Sequence, residues 1–119
     1  MWVRSSVLQR TVLQPIAASV YPIEASAFDK HHSFMVQYKP TADPGLDLHT
    51  DDSDVTFNVC LGKNFTDATL TLCGQGGTPT HRQFQQAYVH RLGRCLLHKG
   101  RQRHGADDIA TGERQNLVM

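Results

Sequence analysis

The chain has 119 residues, a formal charge of +1 and 39% hydrophobic residues, which suits one compact domain with a modest core. These values disfavour disorder, and they provide no general attraction to nucleic acids or anionic membranes. No stretch of the sequence approaches the ~20 apolar residues that a membrane span needs. The three cysteines contain no CxxC pair, which disfavours a disulfide scaffold or a zinc ribbon and predicts an intracellular location, cytoplasmic or nuclear.

Residues 1–29 predict a helical support segment. Apolar residues recur at helical spacing in Leu8, Val12, Ile16 and Val20, with Val7, Leu13 and Ala17 beside them. Pro15 interrupts this stripe and predicts a kink or two short helices that meet there. The first 23 residues contain no acidic residue but contain arginines and serines, which also fits a mitochondrial presequence. We favour the amphipathic helix and keep a mitochondrial location as the lesser alternative.

Residues 30–119 predict a domain of short strands. Alternating or apolar stretches that read as strands occupy residues 33–39, 55–61, 68–73, 94–98, 102–106 and 113–119. Turn-forming residues separate them, and residues 80–90 show no clear period. Many short strands joined by turns favour an all-β sandwich or barrel, with the helical segment packed outside.

The first chemical motif is His49-x-Asp51, in the stretch between the first two predicted strands. On an extended backbone the two side chains point to the same side. A second histidine would complete a 2-His-1-carboxylate facial triad, whose open positions suit non-haem Fe(II). If the extension continued unbroken, the pair would share a face with Val55 and Phe57 at the mouth of an apolar interior. The neighbouring Asp52 and other acidic residues of this stretch are expected to be exposed.

The chain has seven histidines, and the polar surroundings of His81 and His90 and the position of His31 and His32 before a strand predict that these four lie at the surface. Two histidines are candidates for the second ligand, His98 and His104. If residues 104–114 form a hairpin centred near Ile109, His104 lies opposite Arg114, with Cβ atoms about 5 Å apart. An iron oxygenase needs a reductant at the metal, and 2-oxoglutarate serves by chelating through its 2-oxo acid end. Its far carboxylate would then meet the arginine fork, which binds carboxylates in a bidentate manner. The residue ten after His98 is Asp108, which would repel that carboxylate, so His104 is favoured.

His49-x-Asp51, His104 and Arg114, together with the Val36-Gln37-Tyr38 strand, resemble the 2-oxoglutarate/Fe(II)-dependent oxygenases. The sequence of residues 30–118 is similar to the prolyl- and lysyl-hydroxylase-like branch of this family, and in particular to the 2-oxoglutarate and iron-dependent oxygenase domain-containing proteins. The resemblance implies a double-stranded β-helix, or jelly roll. It also implies that His49, Asp51 and His104 bind Fe(II), that Arg114 and Tyr38 bind 2-oxoglutarate, and that Asn58 assists them.

The implied reaction is hydroxylation of a protein or peptide side chain, coupled to the conversion of 2-oxoglutarate and O2 to succinate and CO2, with L-ascorbate keeping the iron ferrous. The chain ends soon after Arg114. The resemblance therefore predicts a shortened product whose domain, residues 30–119, is incomplete at its C-terminus and exposes a sheet edge.

Two other interpretations of the sequence remain. A catalytically silent fragment would serve as an interaction module, and a jelly roll could hold a different metal ion without oxygenase chemistry. Basic residues cluster in the second half of the chain, in Arg91, Arg94, Lys99, Arg101 and Arg103. Since no aromatic residues are interleaved at stacking positions, a solvated face is favoured over a nucleic-acid site.

Overall fold

A computed structural model of the chain describes residues 5–119, which start as a helical segment and continue as strands. The helical segment consists of α1 (Ser5–Leu8), a π-helical turn (Gln9–Leu13), α2 (Gln14–Val20) and a 3-10 turn (Glu24–Ala27). Pro15 lies in the first turn of α2, where its missing N–H costs little. Arg4, part of the presequence-like stretch, lies outside the described residues. No helix within residues 5–119 is long and apolar enough to cross a membrane.

The helical segment packs on the protein through one side of the predicted apolar stripe, the side of Leu13 and Ala17. The predicted stripe is largely exposed at Val12, Ile16 and Val20. Instead, the fully buried Ala17 packs together with Leu13 against Val55 and Phe57. The π-helical turn has a wider repeat than an α-helix, so a stripe projected through it at α-helical spacing does not stay on one face.

Ten strands follow in the described part of the chain. They are β1 (Phe34–Tyr38), β2 (Leu46–His49), β3 (Val55–Gly62), β4 (Phe65–Asp67), β5 (Leu70–Gln75), β6 (Phe84–Tyr88), β7 (Cys95–Lys99), β8 (Gln102–Ala106), β9 (Ile109–Gly112) and β10 (Arg114–Val118). β6 lies in the stretch that showed no period, because most of its side chains are exposed and its pairing with β5 contains a bulge.

Eight of these strands form two antiparallel four-stranded sheets, with the orders β1-β10-β3-β7 and β2-β8-β5-β6, while β4 pairs with β9. Tyr38 of the first sheet packs with Leu70 and Ala106 of the second in one buried cluster. The sheets therefore enclose a common interior, as in the expected jelly roll. The helical segment covers the outer face of the first sheet, at Val55 and Phe57. The predicted fold class is confirmed.

The two faces of β3 are the reverse of the prediction. Val55 and Phe57 pack against the helical segment, so the alternation of the strand turns Thr56 and Asn58 toward the interior. Residues 50–54, between β2 and β3, are not extended and break the parity between the two strands. A short irregular stretch of this kind reverses every later side chain, because the side-chain period of a strand is two.

The last strand, β10, is paired on both sides. It lies between β1 and β3, and Arg114 is in register with Tyr38. β10 is therefore an inner strand of its sheet and not an edge. The division of the chain into residues 1–29 and 30–119 stays a prediction.

Candidate metal centre

The structure brings together the three residues that the sequence predicted as metal ligands. His49 ends β2 and is in register with His104 of β8, while Asp51 follows two residues later in the loop. The potential ligand atoms of the three residues lie within 4.8 Å of one another. His49 Nε2 is 3.3 Å from Asp51 Oδ1, and His104 Nε2 is 3.6 Å from Asp51 Oδ2. That these residues bind a metal remains a proposal.

The loop that carries Asp51 is held against the turn between β7 and β8. The Asp51 N–H donates a hydrogen bond to the Gly100 carbonyl at 2.8 Å, and the Gly100 N–H donates to the Asp54 carbonyl at 3.1 Å. A Cβ atom on Gly100 would lie 1.9 Å from the Ser53 carbonyl oxygen, so only glycine fits there. Thr56 Oγ1 donates to Asp51 Oδ2 at 2.7 Å. The carboxylate is therefore fixed from two sides, while Asp54 is exposed, as predicted for the acidic neighbours of Asp51.

Backbone carbonyls orient both histidine rings. His49 Nδ1 is 2.7 Å from the Asp47 carbonyl oxygen, and His104 Nδ1 is 2.7 Å from the Gln102 carbonyl oxygen. A carbonyl only accepts, so Nδ1 carries a proton in both rings and Nε2 faces Asp51. This second contact is typical of metal-binding histidines, because it sets the tautomer and the ring orientation. In the absence of a metal, His49 Nε2 donates to the carboxylate when the ring is protonated at both nitrogens.

The surroundings favour the charged form of Asp51 and act on the two histidines in opposite directions. Burial raises the pKa of Asp51, but the hydrogen bonds from His49 and Thr56 outweigh it and hold the pKa at about 2. The hydrogen bond to Asp51 raises the pKa of His49. Burial lowers the pKa of His104, which favours its neutral form, the form that binds metals.

Arg114 lies in the same interior, but not in the hairpin that the sequence predicted. His104 pairs with residues of β2 and β5, whereas Arg114 begins β10, which pairs with β1 and β3, so the two residues belong to different sheets. The predicted pairing of positions 104 and 114 is wrong, because β9 intervenes and pairs with β4. Arg114 reaches across the interior and donates through Nη1 to the Ala68 carbonyl.

The guanidinium of Arg114 is fully buried and incompletely bonded. Its Nε and Nη2 atoms have no hydrogen-bond partner within the described part of the chain. The Tyr38 ring lies 4.7 Å from its Cζ atom, and the Phe65 ring lies 5.8 Å away. A buried cation with unpaired donors is costly unless an anion binds there. The arrangement fits a carboxylate ligand.

A buried polar cluster adjoins Arg114. Asn116 Nδ2 donates to Asn58 Oδ1 at 2.6 Å and to His90 Nδ1 at 3.0 Å. His90 Nε2 in turn donates to the Asn58 carbonyl at 3.1 Å. Burial, together with the charge of Arg114, lowers the pKa of His90 to about 4. His90 is therefore a neutral, buried group, and its assignment to the surface from its polar sequence neighbours is wrong.

A solvent-filled groove opens beside the metal centre. Its volume is about 670 Å³, and its lining includes Asp51, Phe28, Phe34 and Met119. The groove lies between the helical segment and the loop of residues 50–54, and Arg114 does not line it. It therefore provides a route to Asp51 that is separate from the interior around Arg114.

The sequence of the chain is similar to those of known proteins. The chain is 40% identical over 113 residues to the human 2-oxoglutarate and iron-dependent oxygenase domain-containing protein 2. The match covers 94% of this chain and 32% of the human protein. The chain is a homologue of the 2-oxoglutarate- and iron-dependent oxygenases. A second relative of this group, ICU11 of Arabidopsis thaliana, is 36% identical over 124 residues, which covers 96% of this chain and 31% of that protein. This oxygenase homologue therefore spans about a third of the length of these relatives.

The fold is shared with a crystal structure of an oxidoreductase of the 2OG-Fe(II) oxygenase family from Burkholderia pseudomallei. The match has a TM-score of 0.66 and 16% identity, and it covers 96% of this chain and 53% of that chain. No protein-family profile matches the oxygenase homologue.

The residues of this chain fit iron and 2-oxoglutarate, the two ligands that appear in the names of its relatives. Two imidazole nitrogens and one carboxylate, from His49, His104 and Asp51, form the donor set that suits non-haem iron. The unpaired Nε and Nη2 atoms of Arg114 fit the carboxylate of 2-oxoglutarate.

Sequence reasoning overlooked three residues that border the site. Thr56 and Asn116 were detectable, because each lies two positions from a predicted site residue on the same strand, Asn58 and Arg114 respectively, and so shares its face. His90 had no such signal, since it lies between β6 and β7 and outside any regular pattern.

Proposed function

We propose that the chain is a 2-oxoglutarate- and Fe(II)-dependent dioxygenase domain that hydroxylates a protein or peptide side chain and releases succinate and CO2. One observation carries this proposal. The His49, Asp51 and His104 donors and the incompletely bonded guanidinium of Arg114 face one interior between the two sheets. A metal ion and a dianionic cosubstrate would satisfy both sets of groups together.

Three side chains would hold the metal. His49 and His104 would bind through Nε2, because their Nδ1 atoms are engaged by backbone carbonyls. Asp51 would bind as a carboxylate, which Thr56 orients through its hydroxyl. The bound Fe(II) would supply the oxygen chemistry, with 2-oxoglutarate as the two-electron reductant. The role of the three ligand side chains would be to bind and orient the ion.

Arg114 would bind the far carboxylate of the cosubstrate. Its Nε and Nη2 atoms are free to donate and are screened from water. Tyr38 would help to position the cosubstrate, since its ring packs on the guanidinium. Asn58 would assist through the amide cluster that it forms with Asn116. In a buried site these polar groups exclude water from the arginine and fix its orientation.

The groove beside Asp51 would admit the substrate. Its lining includes Asp51 but not His49, His104 or Arg114, so the substrate would approach the centre from the side of Asp51 and away from Arg114. Its volume of about 670 Å³ exceeds that of a single side chain and leaves room for a stretch of polypeptide. This supports a protein or peptide substrate.

L-Ascorbate would keep the iron ferrous, as the sequence resemblance implies. An intracellular location is proposed because all three cysteines, Cys60, Cys73 and Cys95, are free within residues 5–119. A reducing compartment suits both free thiols and ferrous iron.

The test is an anaerobic titration of the chain with Fe(II) and 2-oxoglutarate, followed by the visible charge-transfer band of the chelated cosubstrate and by succinate formation after oxygen is admitted. We expect the band in the parent, its loss in His104→Ala, and about 10- to 100-fold weaker 2-oxoglutarate binding in Arg114→Met, because hydrogen bonds to charged groups are worth about 1.5–3 kcal/mol. The matched control is His81→Phe, which alters a histidine outside the site.

Two outcomes would refute the proposal. A folded chain that binds Fe(II) but has no affinity for 2-oxoglutarate would be a metal-binding jelly roll without oxygenase chemistry. A folded chain that binds neither would be a silent interaction module.

A further inference from the structure

His90 is a buried histidine to which the proposed function gives no role. It follows β6, is 3% exposed, and stands edge-on to the ring of Tyr88, with 5.3 Å between the ring centroids. Burial, and after it the positive charge of Arg114, lowers the pKa of His90 to about 4, so the ring is neutral and lies within electrostatic reach of the guanidinium. A neutral imidazole has one donor and one acceptor nitrogen, and the partners of these two atoms define what the side chain does.

One backbone carbonyl fixes the direction of the hydrogen-bond chain through this ring. The Asn58 carbonyl can only accept, so His90 Nε2 carries the proton and donates it across 3.1 Å. Nδ1 of the neutral ring is then an acceptor, and Asn116 Nδ2 donates to it at 3.0 Å. The same Nδ2 atom donates to Asn58 Oδ1 at 2.6 Å. The ring therefore requires Asn116 to be the donor in its contact with Asn58.

This direction decides which atoms the two amides leave free. Because Asn58 accepts through Oδ1, the group that it has left is the donor Nδ2, and its side chain points to the interior that Arg114 enters. Asn116 has used both of its amide hydrogens and keeps a buried Oδ1 without a partner within residues 5–119. If both amides were rotated by half a turn, Asn58 would offer an oxygen to the interior. An oxygen there would repel a carboxylate bound to Arg114, whereas an N–H group would bind it.

We propose that His90 is a positioning residue for the cosubstrate: its Nδ1 lone pair holds Asn116, and through it Asn58, in the orientation that presents an N–H group to the far carboxylate. The inference rests on the proposed function and deepens it. Two facing amides can bond with either one as the donor, so the ring nitrogen selects one of two arrangements. His90 acts without touching the cosubstrate itself.

The test compares the binding of two 2-oxo acids to the full chain in the presence of Mn(II). They are 2-oxoglutarate and 2-oxopentanoate, which has the same length but a methyl group in place of the far carboxylate. His90→Leu removes both ring nitrogens and should weaken 2-oxoglutarate binding by about five- to tenfold, as for the loss of one hydrogen bond, while the binding of 2-oxopentanoate and Mn(II) stays unchanged. His90→Asn places an oxygen near the position of Nδ1 and should restore 2-oxoglutarate binding to within about twofold of the parent. His81→Leu, the control, should bind both acids as the parent does.

A second comparison tests whether His90 acts through Asn58. In Asn58→Ala, which has no amide to orient, the further change His90→Leu should leave 2-oxoglutarate affinity unchanged, because residues that act as one unit are not additive. If His90→Leu does not fold, the ¹⁵N resonance of His90 Nδ1 in the Zn(II)-loaded parent replaces it. We expect 2-oxoglutarate to shift this resonance and 2-oxopentanoate to leave it in place, and the same response to both acids would overturn the inference.

The outcomes separate this inference from the proposed function. Unchanged 2-oxoglutarate affinity in His90→Leu, or an equal loss of affinity for both acids, would overturn the positioning role, and the proposed function would stand because the parent still binds 2-oxoglutarate. A folded parent that binds Mn(II) but not 2-oxoglutarate would refute both.

Discussion

Replacing Arg114 with methionine should make the free chain more stable while it abolishes tight 2-oxoglutarate binding. The guanidinium is fully buried, and two of its nitrogens have no partner within residues 5–119. Each buried unsatisfied group costs about 1–3 kcal/mol. The variant would lose the contact with the Tyr38 ring, worth about 1–2 kcal/mol, and the hydrogen bond to the Ala68 carbonyl, worth about 1 kcal/mol. An apolar side chain of similar volume often stabilises such a site by about 1–4 kcal/mol.

The net expectation is an increase of about 1–3 kcal/mol in the free energy of unfolding of Arg114→Met. At about 2.1 cal/mol/K per residue, the entropy of unfolding of this chain is about 0.25 kcal/mol/K, so Tm should rise by about 4–12 °C. Thermal unfolding followed by circular dichroism, without metal or cosubstrate, measures this shift. Arg91→Met is the control, because Arg91 is exposed and its loss should change stability by no more than about 0.5 kcal/mol.

The ligand should stabilise the parent more than the variant. In the presence of Mn(II), 2-oxoglutarate at 100 times its dissociation constant for the parent should stabilise the parent by about 2.7 kcal/mol, which is about 10 °C in Tm, and Arg114→Met, which binds about 10- to 100-fold more weakly, by only about 0.4–1.4 kcal/mol. An unliganded variant that is less stable than the parent would refute the reasoning, because it would mean that the protein itself compensates the charge of Arg114.

Three further predictions concern the surroundings of the site. Thr56→Val removes the donor to Asp51 Oδ2 and should weaken metal binding by about 10- to 100-fold in a calorimetric titration, and an unchanged affinity would contradict the orienting role of Thr56. The folded-state pKa of His90, about 4, lies below its unfolded value of 6.5, so the unfolded chain binds the extra proton between these values. Stability should therefore be complete above pH 6.5 and fall by about 3 kcal/mol as the pH drops to 4, and urea titrations should show this part of the acid loss disappear in His90→Gln. Gly100→Ala would place a Cβ atom 1.9 Å from the Ser53 carbonyl oxygen and should lower the free energy of unfolding by about 2–3 kcal/mol, whereas a normal Tm would show that the loop yields freely.

The residues around Arg114 show that the alternation of side chains can be predicted from the sequence within one strand. Arg114 and Asn116 lie two positions apart on one strand, and both are buried in the interior. The same rule relates Thr56 to Asn58 on β3. Within one strand the rule holds because the backbone itself sets the alternation of side chains. The alternation of side chains does not continue from His49 to Val55, because the residues between them are not extended and Val55 therefore points to the opposite face.

The sequence by itself determined the donor types, their order along the chain and the strand-rich class. His49, Asp51, His104 and Arg114 were identified before any contact was known, because the chemistry of a facial triad and a carboxylate site restricts the residues that can form them. The class followed from the spacing of short alternating stretches, which is a local property of the chain.

Only the tertiary structure decided which strands meet. His104 approaches His49 because β8 pairs with β2, and Arg114 approaches Tyr38 because β10 pairs with β1, although the sequence suggested that positions 104 and 114 pair directly. Strand partners depend on non-local burial and on the closure of long loops, which no short pattern records. The same contacts bury His90 and bring His98 to Asp51. A histidine has the same local appearance on a surface and in a site, and its packed neighbours determine which it is.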